Sequence, residues 1–119
     1  PGGKGAEQLI DHCPTIEWVK QTAGEASLVL SVCTGALLLG KANLLDGLKA
    51  TTHHACLDLL RDCAPAAQIL SGERFTDNGT VITSAGVSSG IDASLHVVSR
   101  LRGEEIALKT AENMEYRLV

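Results

Sequence analysis

No apolar run in this 119-residue sequence reaches the roughly 18 residues that a membrane-crossing helix requires. The N-terminal stretch PGGKGAEQ lacks the basic-then-apolar order of a secretory signal. Lysine and arginine form no cluster, and the net charge is −4, so a nucleic-acid partner is not expected. There is no CxxC pair. Cysteines stand at 13, 33, 56 and 63, which is not zinc-finger spacing, and neither a metal nor a cofactor is expected. Internal repeats and low-complexity segments are also missing. What is present, 45% hydrophobic and 20% charged residues, suits one soluble globular domain spanning 1–119. The cysteines are read as reduced, which points to the cytoplasm. Cys56 and Cys63 are read as ordinary buried thiols on one helix face.

Residues 6 to 23 carry helical spacing with a break expected at Pro14, and Gly24 suits a C-terminal cap. SLVLSV (27 to 32) is short, apolar and β-prone, as a buried strand would be. TGALLLGKANLL (34 to 45) turns helical at once. LKATT (48 to 52) follows as a strand, then HACLDLLRDC (54 to 63) as an amphipathic helix closed by Pro65. AQILSG (67 to 72) is a weaker strand. Two β-like runs flank Asn78-Gly79, the strongest hairpin signal in the chain. A helix is expected over 88 to 103, capped by Ser88 or Ser89, and a last one over 104 to 116 with acids in its first turn. Alternating strands and helices predict an α/β class with a mostly parallel sheet. PGGKG is a Gly-rich turn entering a helix with no strand ahead of it. Such turns follow a strand in open α/β sheets, so the first β-α units are expected to lie outside this sequence or in another chain.

Cys33 stands at the corner of SVCTGALLLG, between strand and helix. A tight turn there lifts the side chain above the carboxyl edge of the sheet. The amides at the helix start face it, and the helix dipole favours a negative charge. These effects lower a thiol pKa and raise the share of reactive thiolate. Gly35 leaves room for the bend. An isolated cysteine between apolar runs is more often a small buried hydrophobe, and spacing alone favours that reading.

VCTGALLLGKANLLDGLKATTHH, taken with PGG at the start and ITSAGVSSGIDASLHVV later, resembles the ThiJ/PfpI superfamily of class I glutamine amidotransferase-like proteins. The likeness covers nearly the whole chain, with three motifs in the expected order. It implies a flavodoxin-like three-layer sandwich lacking its first β-α units. CTG and GVSSGID look most like the isonitrile hydratase branch, and equally like the amidotransferase-like domains fused to AraC-type regulators.

The resemblance also implies roles. Cys33 matches the elbow nucleophile, and Thr34 matches a residue that lines the site and offers a backbone oxyanion donor. Gly3 matches the second donor. His53 matches a histidine near the cysteine in several relatives, although His54 beside it blurs the match, and a helix-start role without catalysis is as well supported. Gly86 and Val87 match a loop facing the substrate. Protease-like relatives carry histidine directly after the cysteine. Thr34 stands there instead, so peptidase activity is not expected. The family's acidic partner comes from the first strand-helix unit, which this sequence does not contain. Glu7 and Asp11 do not match it, and the sequence alone is expected to be inactive. His12 and His96 have no motif around them and are read as structural.

The leading expectation is therefore a cysteine-dependent hydratase or hydrolase acting on a small electrophilic substrate, as a homodimer. The alternatives are a small-molecule or redox-sensing domain like that of an AraC-type regulator, and a stress-protective protein whose Cys33 oxidises.

Overall fold

The structure is a computed structural model and describes residues 1–118. Among the described residues there are five strands and six α-helices, with the first three strands separated by helices. They are α1 (Lys4–Gln8), α2 (Cys13–Glu25), β1 (Val29–Ser31), α3 (Ala36–Lys41), β2 (Lys49–Ala50), α4 (Leu57–Cys63), β3 (Gln68–Ile69), β4 (Phe75–Asp77), β5 (Val81–Ser84), α5 (Ser88–Arg102) and α6 (Glu104–Asn113). Short 3-10 turns, Cys33–Gly35 and His54–Cys56, lead into α3 and α4.

β1 and β5 run parallel, with Val29 opposite Val81 and Ser31 opposite Thr83, and β2 runs parallel to β3. β4 and β5 form the expected antiparallel hairpin, turning at Asn78-Gly79 with Gly79 at φ 93°. The Asn78 side chain does more than turn the chain. It accepts from the Lys49 amide at 3.1 Å and donates to the Lys49 carbonyl at 2.8 Å, so it joins β2 to the hairpin like a rung of a sheet.

Strand side chains alternate between faces. Val29 and Val81 pack with Leu37, Leu45, Leu60 and Cys63 beneath α3 and α4. Ile82, the next residue along β5, is fully buried on the other side, where α5 packs against β4 and β5. Helices thus cover both faces of a mostly parallel sheet, the α/β flavodoxin-like arrangement. Among the described residues, β1 is hydrogen-bonded to a strand on one side only. An apolar groove of about 570 Å³ lies there, lined by Leu28, Val29 and Ser31 together with Pro1, Leu9 and Trp18. Among the described residues no helix is long and apolar enough to cross a membrane.

Several local expectations are corrected. Pro14 begins α2 rather than breaking a helix, because its missing N–H and fixed φ suit the first turn. His12 caps that turn by accepting the Thr15 amide, so the break lies at residues 9 to 12. α2 runs through Gly24 to Glu25 and ends on the extended Ala26. Neither Ser88 nor Ser89 caps α5. Val87 stands at the cap position, and no side chain closes the turn. Cys56 does not share an α-helical face with Cys63. Cys63 is buried under α3, whereas Cys56 is half-buried on the 3-10 turn before α4.

Candidate functional site

β1 delivers the chain at full extension to Val32 (φ −116°, ψ 131°), and Cys33 then takes φ 54°. A non-glycine residue in the left-handed region costs roughly 1 to 3 kcal/mol, so surrounding contacts must hold it. Three sets of contacts do. The Gly35 amide closes the turn on the Val32 carbonyl at 3.0 Å. The hydroxyl of the buried Thr52 donates to the Cys33 carbonyl at 2.8 Å. The buried Thr34 hydroxyl accepts from the Gly3 amide at 2.8 Å and donates to the Gly3 carbonyl at 3.2 Å, which ties the entry of α1 to the elbow.

Close packing explains the glycines. A Cβ on Gly2 would stand 2.7 Å from the Thr34 nitrogen and 2.9 Å from the Val32 oxygen. One on Gly35 would meet the Pro1 oxygen at 3.0 Å, and one on Gly90 would meet Val32 Cγ1 at 2.6 Å. The PGG turn and the start of α5 therefore both seat directly on the elbow. Cys33 itself is half-buried.

Gly3 is next to the elbow, as expected, but its amide hydrogen is directed at Thr34 Oγ1. In this arrangement Gly3 fastens the site and is not a free oxyanion donor. His53 also has a bond of its own. Its Nδ1 accepts the Ala55 amide at 3.1 Å and so caps the 3-10 turn. A neutral ring accepting at Nδ1 carries its proton on Nε2 and can donate from there but not accept. The neighbouring ring carbon, Cδ2, faces Gly86, where an added Cβ would stand 2.7 Å from it. The ring also stacks on His54 at 4.3 Å. Gly86 thus backs onto His53, while Val87 (φ 20°) projects with 81% exposure and is the most exposed large apolar side chain described.

Thr52, Glu7 and Cys56 are site residues to which sequence reasoning gave no role. The Cys56 thiol donates to Glu7 Oε1 at 3.3 Å. Burial pushes the Cys56 thiol up, and the Glu7 hydrogen bond, the Glu7 charge and a charge on Cys33 push it further in the same direction. The signal for Thr52 was present in the doubled threonine at the end of a short strand. Successive side chains there point to opposite sides, so the Thr51 hydroxyl donates to the Leu70 carbonyl while the Thr52 hydroxyl donates to that of Cys33. His12 and His96 are structural, as expected. His12 caps α2, and His96 pairs with Asp77 at 2.6 Å.

The model of the DJ-1/PfpI family matches residues 1–100. The chain belongs to the DJ-1/PfpI family. Isonitrile hydratase of Pseudomonas putida is 37% identical over 116 residues, which are 98% of this chain and 50% of that protein. The HTH-type transcriptional regulator CdhR of Pseudomonas aeruginosa is 29% identical over 91% of this chain and 32% of its own length. Among solved structures, a ThiJ/PfpI family protein from Pseudomonas syringae superposes with a TM-score of 0.88 at 33% identity, covering 100% of this chain and 48% of that one. Drosophila melanogaster DJ-1beta superposes at 0.82 with 18% identity, a likeness of fold. The chain spans about half the length, or less, of these curated relatives.

Proposed function

We propose that this DJ-1/PfpI domain carries a cysteine-dependent hydratase site for a small electrophile, similar to isonitrile hydratase. The observation that supports it most is the left-handed Cys33 at the end of β1, held by Thr52 and by the Gly3–Thr34 pair. Strain of this kind collects at functional sites, and a purely structural cysteine has no use for it.

With an isonitrile, R–N≡C, the Cys33 sulfur adds to the terminal carbon and the thiol proton ends on that carbon, giving a thioimidate, R–N=CH–S. The nitrogen of this adduct takes a hydrogen bond from the Thr34 amide, since the Thr34 hydroxyl hydrogen is held by the Gly3 carbonyl. Water then adds to the carbon, the C–S bond breaks, and the product R–NH–CHO leaves with the thiol restored. In this reading Gly86, which backs onto His53, and the exposed Val87 would border the substrate, and His53 would donate from Nε2 rather than act as base. The resemblance implies an acidic proton carrier, which we expect in a part of the protein corresponding to the unmatched length of the relatives. Incubation with an alkyl isonitrile should give the formamide and a transient adduct on Cys33 detectable by mass spectrometry. Undiminished turnover in Cys33→Ala would reject the reading.

A second reading, a small-molecule sensor, is supported by the likeness to HTH-type regulators. Its mark would be saturable ligand binding without product. In either case we expect a homodimer working in the cytoplasm.

A further inference from the structure

Glu7 and Cys56 are 49 positions apart in sequence, yet their side chains meet beside the elbow. Two independent tethers bring them there. Gly3, pinned to Thr34, starts the five-residue helix on which Glu7 lies. Thr52, bonded to the Cys33 carbonyl, leads within four positions to Cys56. The negative charge of an ionised Cys33 reaches the Cys56 thiol and helps keep it protonated. The site therefore contains two thiols with different duties. One is strained and lies at the helix start, and the other holds its proton against a carboxylate. Cys56 also sits on a single 3-10 turn, closed by its own amide on the His53 carbonyl at 2.9 Å, with His54 and Ala55 exposed. The turn is also capped by His53 Nδ1, which accepts the Ala55 amide at 3.1 Å, and Cys56 leads directly into α4, so the thiol is presented from a short segment between the Thr52 tether and that helix.

We propose that Cys56 is the resolving thiol for Cys33, closing an intramolecular disulfide with Glu7 as the base after a hydroperoxide has oxidised Cys33. The Cys33 thiolate attacks the distal oxygen of R–O–O–H. The O–O bond breaks, the leaving alkoxide takes a proton from solvent water to become the alcohol, and Cys33 becomes the sulfenic acid, oxidised by two electrons while the peroxide is reduced. Glu7 then takes the Cys56 proton, the Cys56 sulfur attacks Cys33, and the S–O bond breaks. The departing hydroxide collects the proton from Glu7 as water. The disulfide prevents further oxidation to sulfinic acid.

The inference rests on the same reactive Cys33 as the proposed function, and its test separates the two. The protein is treated with hydrogen peroxide, alkylated and mapped without reduction, beside Cys56→Ser and Glu7→Gln. The expected result is a Cys33–Cys56 linked peptide in the parent protein and sulfinic Cys33 in Cys56→Ser. In Glu7→Gln, the dimedone-trappable sulfenic acid should persist, with disulfide closure slowed by roughly tenfold or more. If Cys33 alkylates readily yet over-oxidises in the parent protein with Cys56 free, at the rate seen in Cys56→Ser, this inference alone is overturned. If Cys33 resists alkylation in the folded protein, both readings are overturned.

Discussion

The hydroxyl of Thr52 donates to the carbonyl oxygen of Cys33 across 2.8 Å, and Thr52 is 1% exposed. A strained residue is thus fastened by a side chain from the next β-α connection, 19 positions away, rather than by its own turn alone. The site inherits its rigidity from the packing of two loops at one edge of the sheet.

Thr52→Val keeps the volume and removes the donor, which leaves a carbonyl without its partner. We expect a loss of about 1 to 3 kcal/mol in urea unfolding, together with slower alkylation of Cys33 as the elbow relaxes. Thr52→Ser should restore both. A valine variant as stable and as reactive as the parent would show that this bond does not hold the elbow.

Gly2 and Gly5 lie three positions apart and should respond in opposite ways to alanine. At Gly2 the added methyl meets backbone nitrogen and oxygen inside 3.0 Å, whereas at Gly5, within α1, nothing lies within 4 Å. Gly2→Ala should lower stability by about 1 to 3 kcal/mol through overpacking. Gly5→Ala should raise it by up to about 1 kcal/mol through helix propensity. Thermal unfolding of the pair is the measurement, and equal melting temperatures would contradict the close seating of the PGG turn.

Cys33→Gly should separate stability from reactivity. Glycine takes φ 54° without steric penalty, so the variant should melt above Cys33→Ala by about 1 kcal/mol equivalent. Both variants lose thiol labelling at position 33. If the alanine variant is the more stable of the two, the left-handed conformation is not a source of strain.

Asp77 joins the hairpin to α5 through His96 at 2.6 Å and Arg100 at 3.2 Å. Burial pushes its carboxyl up, but the His96 hydrogen bond, the Gly79 amide and Arg100 outweigh that and hold it below the ordinary value of 3.8. On acidification the unfolded chain therefore takes up this proton first. The stabilisation is complete above the unfolded value and is lost as pH falls through the folded one. Urea unfolding from about pH 5 down to about pH 2.5 should show this decline, and Asp77→Asn should flatten it. An unchanged slope in Asp77→Asn would assign the acid sensitivity to other carboxylates.

The α/β order, the hairpin at Asn78-Gly79 and the corner at Cys33 were legible in the residues themselves. Each is written in a short window: strand and helix periods, an Asn-Gly pair, and a polar Cys-Thr-Gly between two apolar runs. The cap of α2 was legible only in part, because Pro14 marks either an end or a beginning, and His12 decides which.

The sequence by itself determined the order of strands and helices, the hairpin turn and which cysteine sits at the bend, since these depend on local sterics and hydrophobic period. Only the tertiary structure decided which distant groups share that bend. Thr34 holds Gly3 across 31 positions, and Glu7 meets Cys56 across 49. No local propensity encodes such separations. They arise because the connections of a parallel sheet bring distant loops to one edge, where each buried polar atom needs a partner.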